Sequence, residues 1–347
     1  MKGKRCIELG KNRTLLELTS LKGLFIWIIV LHNAFCIDAV FDALPGVAYL
    51  RLCGGSLGNS MFFILSGFLM SLGYRGRIRD GQISFGSFLK KRLGKLYPMF
   101  AVTNLAALAV EVWQYGISAV NLKKIAFTFL LQQGGMNNEN PYNSPTWFVG
   151  ALFVCYLLHY AGSYYRKTDT QYRLFLAGCI AWGYYLLMAD LKVPFGYACN
   201  GLAFQNYFLG CAMAEVLPYL KKQGRWLKPT VFAGLLACAY LLWDYGVEVI
   251  SGDSSVAFSF VICPMILYLA CADGLCSRIL RWKPLVYMGE LSMELFYWHL
   301  VVFFAMRQVL GNMTPAGFAL YLTVLVLVSL LTQRISAKYK AKTAVHA

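Results

Sequence analysis

Charged residues are scarce in this sequence. Only 14% of its 347 residues are charged, whereas a soluble domain carries about 25%. The formal net charge of +16 comes from short basic clusters between apolar runs, so no soluble basic domain remains to bind nucleic acid. The 11 cysteines include no Cys-x-x-Cys pair and lie mostly inside apolar runs, which argues against a metal site and a disulfide framework. The chain is instead 59% hydrophobic, which is typical of a protein whose solvent is lipid.

The apolar runs are long enough to cross a bilayer, which takes about 20 residues per helix. The sequence therefore predicts an all-α integral membrane protein with about ten transmembrane helices. The first run has no small-residue cleavage site and is interpreted as a retained span. A shorter run, 122–132, is interpreted as an interfacial or re-entrant segment. The predicted spans are roughly 15–36, 53–73, 97–114, 146–165, 174–191, 199–219, 229–247, 255–273, 286–308 and 314–334.

Lys and Arg residues are distributed unevenly among the segments that join these spans. If both termini are cytoplasmic, the inner segments hold 26 of them and the outer segments five. This is the asymmetry that the positive-inside rule requires. The sequence thus predicts cytoplasmic termini, a single membrane-embedded domain over residues 1–347 and a basic cytoplasmic tail over residues 335–347.

Three of the four histidines lie inside predicted spans, where an ionisable group needs a partner or a function. His32 lies 17 residues after Leu15, about 25 Å along a helix, and therefore near the outer face. Asn33 follows it as a possible orienting amide. A histidine that titrates near neutral pH suits proton abstraction from a hydroxyl, and a packing histidine bonded to a carbonyl is an equally good alternative.

The ninth predicted span holds a second group of polar residues. Glu290 and Glu294 share one helix face, as do Ser292 and His299. A carboxylate among aromatic residues within a membrane is a functional candidate, although a Lys or His from another span would also neutralise Glu294. His159, at the inner end of its span, is interpreted as an interfacial anchor.

A basic cluster opens the third predicted span. Arg92 and Lys95 are three residues apart and face the same way, beside the free N–H groups of a helix start. This arrangement predicts a site for a phosphate-bearing cofactor. Anionic lipid headgroups and topology marking explain Lys90 and Lys91 better. In the second predicted span, Ser66–Gly67 is interpreted as a small-residue notch for helix packing.

Five motifs follow one another along the chain. They are Leu18-Thr19-Ser20-Leu21-Lys22-Gly23-Leu24 with His32, the stretch Asn59 to Met70, the stretch Phe88 to Pro98, Asn143-Ser144-Pro145-Thr146-Trp147-Phe148 with Tyr156, and the segment Ser292 to His299. Taken in order, they resemble the motifs of the acyltransferase family 3 of integral membrane acyltransferases, which O-acylate extracytoplasmic sugars and lipids in bacteria. Lys22 and Lys95 stand where the family has Arg, Leu152 stands where many members have Glu, and the gap from Lys22 to His32 is one residue shorter than in the commonest pattern.

The resemblance implies a multi-pass protein of the bacterial plasma membrane that transfers an acyl group, most often acetyl, from cytoplasmic acyl-CoA. The acceptor would be a hydroxyl of a glycan or lipid-linked sugar, with membrane lipids as further partners, and neither a metal nor nucleic acid is expected. The site residues that we predict are His32, Glu294 and His299 for catalysis, Lys22, Arg92 and Lys95 for acyl-CoA, and Asn33, Trp147 and Tyr156 for the acceptor.

Two other functions stay open. A proton-coupled transporter or a flippase of a polyprenyl-linked sugar would use the same intramembrane His and Glu residues as a proton relay, although the two halves of the chain show no convincing repeat. An inactive relative that assists the assembly of a surface polymer is the third possibility. The acceptor cannot be named from the sequence.

Overall fold

The computed structural model is all-helical. It describes residues 2–37, 46–132, 139–189, 191–222, 234, 255–271 and 274–345. Helix accounts for 87% of the structure, and the described residues contain no strand. The predicted all-α fold class is therefore confirmed. The predicted span 229–247 lies outside the described residues, apart from residue 234.

Twelve α-helices are described, joined by short loops and by the 3₁₀ turns Ile117–Ala119 and Ser144–Thr146. They are α1 Lys2–Ile37, α2 Val47–Arg79, α3 Phe85–Tyr115, α4 Leu122–Phe129, α5 Trp147–Tyr165, α6 Asp169–Ala189, α7 Ala198–Lys222, α8 Ser255–Cys271, α9 Leu275–Leu280, α10 Lys283–Glu290, α11 Ser292–Leu310 and α12 Pro315–Val345.

Six of these helices are long and apolar enough to cross a membrane, namely α1, α2, α3, α5, α6 and α12. The protein is therefore a multi-pass membrane protein. The count of ten spans and the cytoplasmic position of the termini stay predictions. The predicted interfacial segment at 122–132 contains the eight-residue helix α4, which is too short to cross a bilayer.

Helix α2 is tightly packed against both α1 and α7. A Cβ atom at Gly67 would overlap the Tyr207 carbonyl group of α7, and one at Gly210 of α7 would overlap the Ile64 carbonyl group of α2. The two backbones approach this closely because neither glycine has a side chain, as is common in membrane helix pairs. The predicted packing notch at Ser66–Gly67 is confirmed.

The ninth predicted span is divided into two helices. α10 ends at Glu290 and α11 begins at Ser292. Gly289, near the break, lies so close to α1 that a Cβ atom there would overlap the Thr19 carbonyl oxygen. Glycine has low helix propensity and allows this backbone contact, which explains why the helix is interrupted where it meets α1.

His159 lies in the core, so its interpretation as an interfacial anchor is wrong. Its side chain is fully buried, and its Nδ1 lies 3.5 Å from Sγ of Cys211 on α7. The His159 ring also stands edge-on to Tyr207 at 5.9 Å. Helix α7 covers this end of α5, an arrangement that the neighbouring basic residues of the sequence do not reveal.

Candidate active site

A cavity of about 560 Å³ lies between α1, α2, α3, α5, α10, α11 and α12. Eight of its lining residues are charged or polar residues from α1, α3, α10, α11 and α12, and apolar and aromatic side chains make up most of the rest. The polar group comprises Thr19, Lys22, Lys95, Glu290, Ser292, Glu294, Gln333 and Ser336.

Three residues predicted for catalysis or donor binding meet in this cavity. Lys22 of α1, Lys95 of α3 and Glu294 of α11 all line it, although they come from three separate parts of the sequence. Lys95 and Glu290 also lie within electrostatic range of the Lys22 ammonium group. Two lysines and two glutamates thus face one compartment.

His32 lies at the opposite end of α1, about 15 Å from Lys22 along the helix axis. Its Nδ1 is 2.9 Å from the Leu50 carbonyl oxygen of α2. A carbonyl oxygen only accepts hydrogen bonds, so Nδ1 carries the proton and Nε2 keeps its lone pair in the neutral ring. The structure thereby selects the tautomer in which Nε2 can accept a proton.

The His32 ring fits into a notch formed by consecutive glycines of α2. A Cβ atom at Gly55 would lie 2.6 Å from Nε2, and a Cβ atom at Gly54 would lie 2.9 Å from Cβ of His32. The sequence analysis missed these two residues. The spacing of Gly54 and Gly58 was the available signal, because small residues four apart mark close helix contacts in membranes.

Asn33 points to α11, where it contacts His299. Its Nδ2 lies 3.0 Å from the Ile29 carbonyl oxygen and 3.3 Å from Nε2 of His299. Nδ1 of His299 lies 2.8 Å from the Phe296 carbonyl oxygen. The structure thus brings His32, Asn33 and His299 together where α1, α2 and α11 meet.

The cavity ends close to this histidine group. Asn59 lines the cavity and lies one turn from Gly55 on the same face of α2, about 6 Å along the helix. Phe296 also lines it and accepts the hydrogen bond from His299. The cavity therefore extends from the lysine pair to within about one helical turn of the residues that contact His32.

Arg92 does not line the cavity that Lys95 lines, although the two residues are three positions apart in the sequence. Its guanidinium group lies 4.6 Å from the ring centre of Tyr74 and donates a hydrogen bond to the Tyr74 hydroxyl group. It lines a second, smaller space of about 10 Å³. Tyr156 lines both spaces, and its hydroxyl group lies 3.4 Å from Oγ of Ser66. Arg92 thus contacts α2 rather than the larger cavity.

The segment before Trp147 is held against α3 and α11 by polar contacts. Asn143 donates from Nδ2 to the Tyr297 carbonyl oxygen of α11 at 2.7 Å, and its backbone N–H donates to Oδ1 of Asn104 on α3 at 2.9 Å. Trp147 is half-buried, 6.3 Å from the ring of Phe63, and does not line the larger cavity. This motif therefore has a clear structural role.

A family model described as an acyltransferase domain matches residues 15–334. The chain belongs to the acyltransferase 3 family. The match covers more than half of the chain and confirms the family resemblance that the five motifs predicted.

Members of the family with known names align over most of the chain at low identity. The O-acetyltransferase OatA of Staphylococcus aureus is 22% identical over 299 residues, covering 75% of this chain and 48% of OatA. The acyltransferase MdmB of Streptomyces mycarofaciens is 26% identical over 310 residues, covering 78% of this chain and 74% of MdmB. The chain thus spans about half the length of the OatA proteins that it matches. No solved structure matches it.

Proposed function

We propose that this protein is an O-acyltransferase of the bacterial plasma membrane. It would transfer an acyl group, most often acetyl, from cytoplasmic acyl-CoA to a hydroxyl group of an extracytoplasmic glycan or lipid-linked sugar. The observation that carries the proposal is the course of the cavity, from Lys22 and Lys95 to within about one turn of the histidine group. The arrangement of ten spans with cytoplasmic termini belongs to the same proposal.

The two ends of the cavity supply different parts of this reaction. The lysine ammonium groups bind the phosphates of acyl-CoA, and the apolar depth holds the pantetheine arm, so that the thioester lies near Asn59 and Phe296. This course covers the separation between Lys95 and His32 except for about one helical turn at the His32 end. Leu152 lines the cavity, and this apolar wall fits an acyl chain better than a carboxylate would.

His32 would act as the general base of the transfer. Its Nε2 takes the proton of the acceptor hydroxyl group while the hydroxyl oxygen attacks the thioester carbonyl carbon. The carbon–sulfur bond then breaks, and the coenzyme A thiolate leaves with the proton from His32. In the neutral ring, the hydrogen bond from Nδ1 to the Leu50 carbonyl holds the tautomer required for the first step.

The decisive experiment replaces His32 in the full-length chain. Membranes containing the wild type or His32→Ala are incubated with radiolabelled acetyl-CoA, and the lipid and polysaccharide fractions are counted. We expect transfer to fall at least about 100-fold, since a general base contributes 10²–10⁴-fold. Cys53→Ala is a suitable control, because Cys53 bonds the Tyr49 carbonyl of its own helix. Undiminished transfer by His32→Ala would exclude this residue as the base, and unlabelled products from wild-type membranes would favour the transporter or assembly-partner alternatives.

A further inference from the structure

The mouth of the large cavity is marked by three residues. Of the described residues that line the cavity, Lys95 of α3, Glu290 of α10 and Ala337 of α12 are exposed, and the others are buried or half-buried. Lys22, within electrostatic range of Lys95 and Glu290, is half-buried just inside this mouth. The cavity therefore opens to the surface at its lysine end.

Helix α12 forms one wall of this mouth. Gln333, Ser336 and Ala337 line the cavity, and Nε2 of Gln333 donates to the Glu290 carbonyl oxygen at 3.2 Å. This hydrogen bond joins α12 to the end of α10. The predicted span 314–334 ends at this level, so the part of α12 that borders the mouth lies at the membrane surface.

Two cations follow directly on these lining residues. Arg334 comes after Gln333 and Lys338 comes after Ala337, and because they are four positions apart they share one face of α12, next to the face that lines the cavity. Both side chains are exposed, and neither forms a hydrogen bond or an ion pair in the described part of the chain. Helix α12 contains no acidic residue. The two cations are therefore available to an anionic ligand at the mouth.

The proposed donor carries a phosphate that reaches this position. In the proposed function the pantetheine arm of acyl-CoA lies inside the cavity, and its diphosphate lies at Lys22 and Lys95. The adenosine group is on the other side of the diphosphate from the pantetheine arm, so it lies outside the mouth with its 3′-phosphate. An arginine binds a phosphate through two parallel N–H groups, and a lysine binds it as a compact point charge.

We infer that Arg334 and Lys338 bind the 3′-phosphate of coenzyme A. The pair makes the protein select acyl-CoA over acyl donors that lack this phosphate. The inference rests on the proposed acyl transfer and adds two donor-binding residues to it. The five sequence motifs do not include either residue, because the last motif ends at His299.

The test compares two donors that differ by this one phosphate. Membranes containing the full-length protein receive acetyl-CoA or acetyl-dephospho-CoA, each labelled in the acetyl group, and KM and kcat are measured from the label in the lipid and polysaccharide fractions. We expect the wild type to have a KM about tenfold lower for acetyl-CoA, the effect of two exposed charge pairs. Arg334→Gln combined with Lys338→Gln should raise the KM for acetyl-CoA about tenfold, with kcat unchanged and the KM for acetyl-dephospho-CoA within about twofold of wild type.

A matched variant controls for the loss of positive surface charge. Lys90→Gln combined with Lys91→Gln also removes two exposed cations, neither of which lines the cavity, and it should behave as wild type. Binding of labelled coenzyme A and dephospho-coenzyme A to the purified protein in detergent gives the same comparison without catalysis. There the wild type should prefer coenzyme A about tenfold, and the variant at Arg334 and Lys338 should bind both about equally.

The outcomes separate this inference from the proposed function. An unchanged KM for acetyl-CoA in the variant at Arg334 and Lys338 would overturn the inference and leave lipid headgroups as the partners of these side chains. An equal rise in KM for both donors would also overturn it, because the side chains would then act on a part that both donors share. If wild-type membranes transfer no label from either donor, the proposed function fails, and equal affinities of the wild type for the two labelled nucleotides would then overturn the inference separately.

Discussion

Gly55→Ala is expected to displace His32 while leaving the fold intact. The added Cβ atom would lie 2.6 Å from Nε2, 2.9 Å from Cδ2 and 3.2 Å from Cε1 of the His32 ring. Ordinary contacts between non-bonded heavy atoms are about 3.5–4.0 Å, so the ring must move by about 1 Å. Such a movement breaks the 2.9 Å hydrogen bond between Nδ1 and the Leu50 carbonyl, which holds the ring and its tautomer in place.

The expected loss is large for activity and small for stability. A 1 Å displacement of a catalytic group costs about 100-fold in rate, which corresponds to about 2.7 kcal/mol in activation free energy. Stability should fall by less than about 1 kcal/mol, because the lost hydrogen bond costs about 1 kcal/mol and replacing Gly by Ala inside a helix returns about 0.5–1 kcal/mol. The obstructing atoms belong to a side chain that can rotate, so the backbone contact is kept. Activity and stability therefore respond differently, and the two measurements together identify the cause.

The assay measures transfer from labelled acetyl-CoA per amount of folded protein, together with the midpoint of thermal unfolding in detergent. Gly73→Ala is the matched control, because Gly73 lies on the same helix and a Cβ atom there meets nothing within 4 Å. It should be as active as wild type and about 0.5–1 kcal/mol more stable, as expected for Gly→Ala inside a helix. Gly55→Ala with a transfer rate within about threefold of wild type would refute the assignment of His32 and its glycine notch.

Two further substitutions test the packing of α2 and the donor end of the cavity. Gly67→Ala should destabilise the protein by about 1–3 kcal/mol, because the added methyl group meets the Tyr207 backbone rather than a mobile side chain. Its midpoint of thermal unfolding in detergent should fall well below that of Gly73→Ala. Equal midpoints would contradict the close α2–α7 contact. Lys95→Ala should raise KM for acetyl-CoA about tenfold with kcat nearly unchanged, because one phosphate contact is lost. Lys90 lies outside the cavity, so Lys90→Ala should change neither constant. An unchanged KM for Lys95→Ala would mean that the phosphates bind elsewhere.

The sequence is sufficient to predict the helical class and the positions of the six helices that are long and apolar enough to cross a membrane. Long apolar runs indicate directly that the solvent is lipid, and small residues such as Gly67 indicate close helix contacts. The break at Leu291 could not be predicted in this way, because it depends on Gly289 meeting the backbone of α1, a contact between residues far apart in the sequence. The burial of His159 by α7 was missed for the same reason.

The candidate site was predictable residue by residue but not as an arrangement. Lys95 and Glu294 were chosen from their charge beside or within a span, and Lys22 was chosen from the family resemblance. Helix pairing brings all three to one cavity. Spacing alone also placed Arg92 with Lys95, since residues three apart share a helix face. Arg92 turns instead toward the Tyr74 ring, and a sequence does not show which of two neighbouring partners an arginine will choose.

Two departures from the pattern that the resemblance implies lie on the uninterrupted helix α1. One is Lys22 in place of an arginine, and the other is the shorter gap from Lys22 to His32. The resemblance implies a gap before His32 that is one residue longer than the gap from Lys22, and on a continuous helix one residue amounts to about 1.5 Å and 100°. With His32 fixed by its contacts to α2, Lys22 therefore leaves α1 in a different direction from the arginine that the resemblance implies. A lysine has a flexible four-carbon stem and a compact ammonium group, so it tolerates this change of direction better than a planar guanidinium group. We therefore expect Lys22→Arg to bind acyl-CoA less well than the native lysine does.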